Sequence, residues 1–381
     1  MVCPAQIRGA DGRTVTPLAE LIAARIRASG PVSLAEYMAD CLMHPRFGYY
    51  ATRDPFGQAG DFTTAPEISQ MFGELLGLCL AQSWLDQGAP ARFTLAECGP
   101  GRGTLMADVL RATARVPGFH AAADLVLVEA SATLRGIQAK TLAGHQPRWL
   151  SLVQYLPEAP LFLLANEFFD ALPIRQFTRQ SGGWAETMVG LSDEALTPGR
   201  APPGPLAALD HRQDIAEGRI VEICPAAAPI MAEISGRIRR HGGLALIVDY
   251  GDWQSLGDTF QAMRDHAYVD PFATPGEADL TAHVDFAALA RAALPAAASY
   301  TTQGALLTAL GIGARAQQLA AHPIAARNDP LAAARRLTDP AEMGTLFKAL
   351  AIHPAGTPPP AGFPIGNTMD QSAARGGRDD A

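Results

Sequence analysis

The spacing of apolar positions changes partway along the chain. Over residues 18–28 apolar side chains recur at helical spacing, and Ser33 is placed to cap a second helix running to about Met43. Residues 44–62 (HPRFGYYATRDPFGQAGDF) are rich in glycine, proline and aromatics, have no period, and read as an ordered loop. Thr64-Ala65-Pro66-Glu67 is a capping box with proline in the first turn. It predicts one long helix to about Leu85, with Ile68, Met71, Phe72, Leu75, Leu76 and Leu78 as its apolar residues. Past residue 90, short apolar runs take over at 93–98, 125–128, 161–165 and 244–248, with a weaker one near 150–153. Helical stretches lie between them, at 105–110 and from Ser131 onward. Strands alternating with helices imply a parallel sheet covered on both faces.

The expected fold is therefore α/β, with a doubly wound, Rossmann-like sheet. Residues 1–90 form a helical N-terminal cover, and 91–170 with 219–350 form the core. The alternation is interrupted at 171–218, where runs at 174–178 and 184–189 flank Ser181-Gly182-Gly183 as a β-hairpin, followed by an APPGP loop. This inserted hairpin and loop is the candidate substrate-recognition arm. The C-terminal third reads as alanine-rich helix, and the Pro/Gly-rich then charged tail, 351–381, is expected to be poorly ordered.

Composition narrows the classes. With 381 residues, 48% hydrophobic and 18% charged, the chain has ample material for a core. A net charge of -8 argues against nucleic acid as the main partner. The five cysteines are widely spaced with no C-x-x-C, which fits reduced thiols and no zinc site. No apolar run is long enough to span a membrane, and the N-terminus shows neither a secretory h-region nor an Arg-rich, acid-free presequence. The expected location is the cytoplasm.

The strongest local signal is Leu95-Ala96-Glu97-Cys98-Gly99-Pro100-Gly101-Arg102-Gly103-Thr104, entered from a strand and left by a helix. Glycines let backbone approach a ligand, and a helix N-terminus offers free N–H groups. The pattern E-x-G-x-G-x-G, with Thr104 where a dinucleotide site wants its third glycine, resembles motif I of class I S-adenosylmethionine methyltransferases. Glu129, at the end of the next strand, is placed to accept hydrogen bonds from ribose hydroxyls. Asn166, Glu167 and Asp170 follow the strand expected beside the first, so they border the switch point where ligands bind, with Phe168 and Phe169 as walls against water. Paired carboxylates suit a guanidinium acceptor, which they can hold bidentately. Asp249 and Tyr250, at another strand end, are candidates to touch that acceptor. Cys98 reads as inert core. Asp279, His283 and Asp285 are too loosely spaced for a metal trio and read as structural.

Several stretches together resemble one family, the MidA-like methyltransferases. They are GDFTTAPEISQMFGE (60–74), ECGPGRGTLM (97–106), ANEFFDALP (165–173), IVDYG (247–251), ADLTAHVDF (278–286) and TQG (302–304), in order. The resemblance covers about residues 15–350. It implies S-adenosyl-L-methionine as cofactor and, for mitochondrial members, symmetric dimethylation of an arginine in a core subunit of respiratory complex I. By position it makes Glu97, Gly99, Gly101, Gly103 and Thr104 the cofactor floor and Glu129 the ribose acid. Asn166, Glu167 and Asp170 then lie at the methyl-transfer face, and Asp61, Phe62 and Thr64 precede a helix over the cofactor. The implied partner is a protein acceptor, with a homodimer as one candidate assembly. Alternatives are a cofactor-binding assembly scaffold without turnover, a small-molecule methyltransferase and, more distantly, a nicotinamide dehydrogenase.

Overall fold

The computed structural model describes residues 7–8, 14–52, 64–321 and 329–365. Its centre is a sheet of β1 (Phe93–Cys98), β2 (Ala123–Val128), β3 (Arg148–Leu150), β4 (Leu161–Asn166), β5 (Gly243–Asp252), β6 (Ala297–Thr302) and β7 (Phe347–His353). Their order across the sheet is β3-β2-β1-β4-β5-β7-β6, and Val284–Asp285 adds a short parallel pairing to the end of β5. β7 runs antiparallel to both of its neighbours, while β1 to β5 pair in parallel. The chain leaves β1 toward β2 on one side, and β4 lies on the other, so the carboxyl ends of β1 and β4 flank the topological switch point.

The apolar runs lack alternation because both faces are covered. Leu244, Leu246 and Val248 of β5 enter one core layer, and Ala245 and Ile247 enter the other. The first layer receives Gln70–Asp86 and Thr104–Thr113, and the second receives Ala227–His241 and Phe286–Ala292. Gln70–Asp86 crosses Thr104–Thr113 closely at Gly77, where a Cβ would lie 2.9 Å from Val109 Cα. Buried Glu74 ties the same contact with ion pairs to Arg111 and Arg315.

The hairpin around Ser181-Gly182 is present and larger than expected. Arg175–Gln180 and Gly183–Ser192 join Ala195–Arg200, Ile220–Ile223 and Val32–Ser33 in a five-stranded sheet. Helices Pro17–Ser29 and Leu34–Met43 pack on this sheet through Leu18, Ile22, Tyr37 and Met38 against Ile174 and Val189. Ser33 and Glu36 form the full capping box of the second helix.

Three expectations need correction. The long helix from Thr64 is broken: Ala65–Ile68 ends at Ser69, whose extended backbone (φ −160°) and Oγ, accepting from Met71 N, start a new helix, Gln70–Asp86. Leu78 faces outward and is exposed. The alanine-rich C-terminal third holds two strands as well as helices, and Ala351, Ile352 and His353 of the presumed tail complete β7 in the core. Phe363 is also buried, and the tail from residue 366 lies outside the described residues.

Candidate active site

β1 delivers the glycine loop to the switch point. Gly99, Gly101 and Gly103 have φ of 61°, 52° and 84°, the left-handed region that side chains disfavour. A Cβ on Gly99 would also lie 3.0 Å from Phe168 Cδ2. Thr104 opens the following helix, and its Oγ1 donates to Glu67 Oε1 at 2.6 Å, which clamps the N-terminal cover onto the loop. Glu67 is thus drawn out of the anticipated capping box, and Thr64 makes no side-chain cap. Asp61 and Phe62 lie outside the described residues.

Glu97 is 2% exposed, and burial pushes its carboxyl up to about 8, partly offset by a hydrogen bond from Met106 N. Its Oε2 has no hydrogen-bond partner among the described residues. Glu129 stands at the end of β2. Its Oε1 accepts from Ser131 N at 2.7 Å and its Oε2 from Gln138 Nε2 at 3.1 Å. The same Gln138 nitrogen donates to Gly101 O at 2.8 Å, and Gln138 Oε1 accepts from Trp149 Nε1 at 2.8 Å. Gln138 therefore couples the acid to the loop. Sequence reasoning missed it, although a polar residue four positions after Leu134, on the buried helix face, was the available signal.

A cavity of about 670 Å³ opens beside these groups, a size suited to a nucleoside cofactor. Gly99, Gly101 and Glu129 line it, and Val128, Leu134, Leu152 and Val153 form an apolar slot. Glu167, Phe168 and Tyr50 line it as well. An adenosine with an attached amino acid fits a cavity lined in this way, by an apolar slot, an acid and bare glycine backbone, while Glu97 lies buried beneath the loop and does not line the cavity.

The acids meet at the end of β4. Glu167 adopts φ of 50°, a strained value for a side-chain residue, and its N donates to Val248 O at 2.9 Å. Asn166 Nδ2 donates to Glu167 Oε1 at 2.9 Å, and Asn166 Oδ1 has no hydrogen-bond partner among the described residues. From β5, fully buried Asp249 accepts from Phe169 N at 3.0 Å and Asp170 N at 3.3 Å through Oδ2, and from Tyr250 N at 3.0 Å through Oδ1. Asp249 thus holds the turn, which corrects its reading as an acceptor contact. Tyr250 is buried with its hydroxyl bonded to Asp170 and Thr281. Phe169 is buried behind the turn, its ring centroid 5.2 Å from that of Phe168. Asp279 accepts from Tyr50 Oη at 3.0 Å, and Asp285 caps a helix through Ala288 N.

Crowding dominates the electrostatics. Burial, then the neighbouring Asp170, pushes Glu167 up to about 7. Asp170 and Asp249 are raised too, both chiefly by burial, with Asp249 also repelled by Asp170 and Glu167. No ion pair reaches any of the three among the described residues, and Asp170 Oδ1 has no hydrogen-bond partner there. Cys98 is buried, and its thiol is pushed well up, as expected for inert core.

A glycine-floored nucleoside cavity facing an acidic turn, at the switch point of a sheet in this order, defines a class I methyltransferase fold and site. The chain belongs to the family Methyltransf_28, the S-adenosyl-L-methionine-dependent methyltransferases, whose model matches residues 75–305. It is 36% identical over 380 residues to the mitochondrial protein arginine methyltransferase NDUFAF7 of Bos taurus, spanning 91% of this chain and 85% of that protein. The Homo sapiens protein of the same name is 36% identical over 375 residues, spanning 89% and 84%. A methyltransferase-type protein from Burkholderia thailandensis, crystallised with S-adenosyl-homocysteine, superposes with a TM-score of 0.77 at 31% identity, covering 88% of this chain and 91% of that one. The protein is an S-adenosylmethionine-dependent methyltransferase. The cytoplasmic location read from the sequence is withdrawn, because these curated relatives are mitochondrial proteins.

Proposed function

We propose that the chain methylates a guanidinium nitrogen of an arginine in a protein acceptor. The observation that carries this reading is the turn itself: buried Asp170 and Asp249 crowd against half-buried Glu167 at the cavity wall, with no ion pair among the described residues. A visiting cation relieves that crowding. The names of the relatives support the same acceptor chemistry. By resemblance of its motifs, we propose an arginine of a core complex I subunit as the physiological target. The insert sheet and the N-terminal helices packed on it are proposed as the surface that meets that protein.

Bound in the cavity, S-adenosylmethionine supplies a methyl group activated by a positively charged sulfur. The chain's own residues supply position. Glu167 and Asp170 offer carboxylate oxygens to the guanidinium N–H groups, and Asn166 and Asp249 fix where those oxygens sit. A carboxylate about 4 Å from the cation, at an effective dielectric near 20, contributes roughly 4 kcal/mol. That orients an arginine but does not deprotonate one, since its pKa exceeds about 12. The proton therefore leaves as the new N–C bond forms, and Glu167, poised at about 7, takes it. Phe168 shields the reacting atoms from water.

Incubation of the purified chain with methyl-labelled cofactor and isolated complex I subunits, followed by peptide mass spectrometry, tests the reading. One or two added methylene units on an arginine are expected. Label confined to lysine, to a free small molecule, or absent altogether would refute it. Full function in cells of an Asp170→Asn variant lacking turnover would favour the scaffold reading instead.

A further inference from the structure

A second cavity, of about 390 Å³, lies on the opposite side of the catalytic turn. Phe168 lines the first cavity and Phe169 the second, and the helix Ala227–His241 with its lead-in separates them, Ala226 and Pro229 facing one and Ala227 and Ala228 the other. The second cavity is bounded by the insert through Leu209 and Val221 and by the core through Val284 and Leu289. Arg212 lines it and is 5% exposed. Its guanidinium has five N–H donors, and its buried Nε has no hydrogen-bond partner among the described residues. Among the described residues its ion pair is to Asp285 Oδ2, at 3.6 Å. A buried guanidinium left in that state is costly. Arg291 and His211 also line the cavity and are exposed.

The acids nearby do not satisfy it. Glu222 lines the cavity, but its oxygens accept from Gln176 Nε2, Thr259 N and Thr259 Oγ1. Asp285 Oδ1 accepts from Ala288 N, and its carboxyl lies in the field of both Arg291 and Arg212. His283, also on the wall, is held toward its neutral form by burial. Two arginines and two acids line the cavity, and with Glu222 and Asp285 engaged by their own partners the buried Arg212 Nε is left to a visiting acceptor. A carboxylate fits, with the planar geometry a guanidinium fork accepts.

We propose that this cavity is a carboxylate-binding subsite, filled by an aspartate or glutamate side chain near the target arginine of the acceptor or by a free small carboxylic acid. The peptide arm rests on the arginine methyltransferase reading, whereas the binding arm does not. Malonate is titrated into the full-length protein by calorimetry, with malonamide as the neutral control. Malonate binds and malonamide does not, and Arg212→Gln weakens malonate at least about tenfold, the loss of a charged hydrogen bond. Arg291→Gln, at an exposed position, shows a smaller loss and decides the matter if the buried variant does not fold. Unchanged S-adenosylhomocysteine binding confirms that each variant is folded. In the peptide arm, arginine peptides with a neighbouring aspartate are methylated with a KM about tenfold below asparagine counterparts, and Arg212→Gln erases the difference. Malonate binding without peptide discrimination assigns the site to a free acid. Peptide discrimination shows that the acceptor fills it. Absence of both, in a protein that still methylates arginine, overturns the proposal, while absence of methylation alone counts against the arginine reading.

Discussion

Replacing Glu167 with glutamine keeps the shape of the side chain and removes its charge. Moving a carboxyl from 4.5 to about 7 disfavours its ionised form in the folded protein by about 3 kcal/mol. The folded carboxyl is raised, so its contribution to stability is present below the unfolded value, near 4.5, and is lost as pH rises through about 7. Glu167→Gln is therefore more stable than the parent at pH 8, by up to about 3 kcal/mol, and equal to it near pH 4. Activity moves the other way. In the parent, kcat/KM for an arginine peptide climbs as pH rises and levels off above about 7, because a guanidinium needs the ionised acid. The variant loses that limb and about two orders of magnitude in kcat/KM, the combined loss of a charged hydrogen bond and a proton acceptor. Urea melts at pH 4 and 8, pH profiles with labelled cofactor, and S-adenosylhomocysteine calorimetry make the measurement. A variant destabilised at pH 8, or one keeping the pH limb, would refute the argument that Glu167 is held unpaired for a cationic guest.

The remaining predictions concern the supports of the site. Gly101→Val forces a β-branched side chain into the left-handed region at the cavity wall, and calorimetry should show cofactor affinity falling more than about tenfold. Gln138→Leu strands Gly101 O and a Glu129 oxygen, costing about 1–3 kcal/mol in a urea melt and weakening S-adenosylhomocysteine. Asp249→Ala removes the acceptor of three backbone N–H groups, so single-turnover rates should drop about a hundredfold while cofactor binding holds.

The sheet and cofactor end were legible because they obey local rules. The apolar runs of β1, β2, β4 and β5 have no helical period, and the glycines at 99, 101 and 103 announce left-handed backbone. The last strands were not legible: β6 (AASYTT) and β7 (FKALAIH) carry alanine and lysine, which local preference assigns to helix. Tertiary burial overrides it, since β7 lies between β5 and β6 and its Lys348 Nζ donates to Gly251 O at 2.7 Å. Within the site, sequence order put Glu167 and Asp170 in one motif. Whether Asp249 faced ligand or backbone depended on a contact between neighbouring strands that no spacing encodes. Gln138 escaped for the same reason: its partners come from the glycine loop, β2 and the tryptophan of β3.

The catalytic turn carries two costs that ordinary folding would remove. Glu167 is held at φ of 50° although it is not glycine, and three carboxyls, two of them buried, are kept close with raised affinities for protons. An amide at Glu167 relieves the repulsion, and glycine there relieves the strain. Neither substitution would leave an acid whose protonation is balanced near neutrality at the cavity wall. The strained backbone aims Glu167 and Phe168 into the first cavity while it sends Phe169 toward the second. Three consecutive residues thus serve acid, shield and partition. The arrangement is coherent when a cation enters from one side and an anionic neighbour of that cation is received on the other, which makes the two cavities parts of one recognition surface.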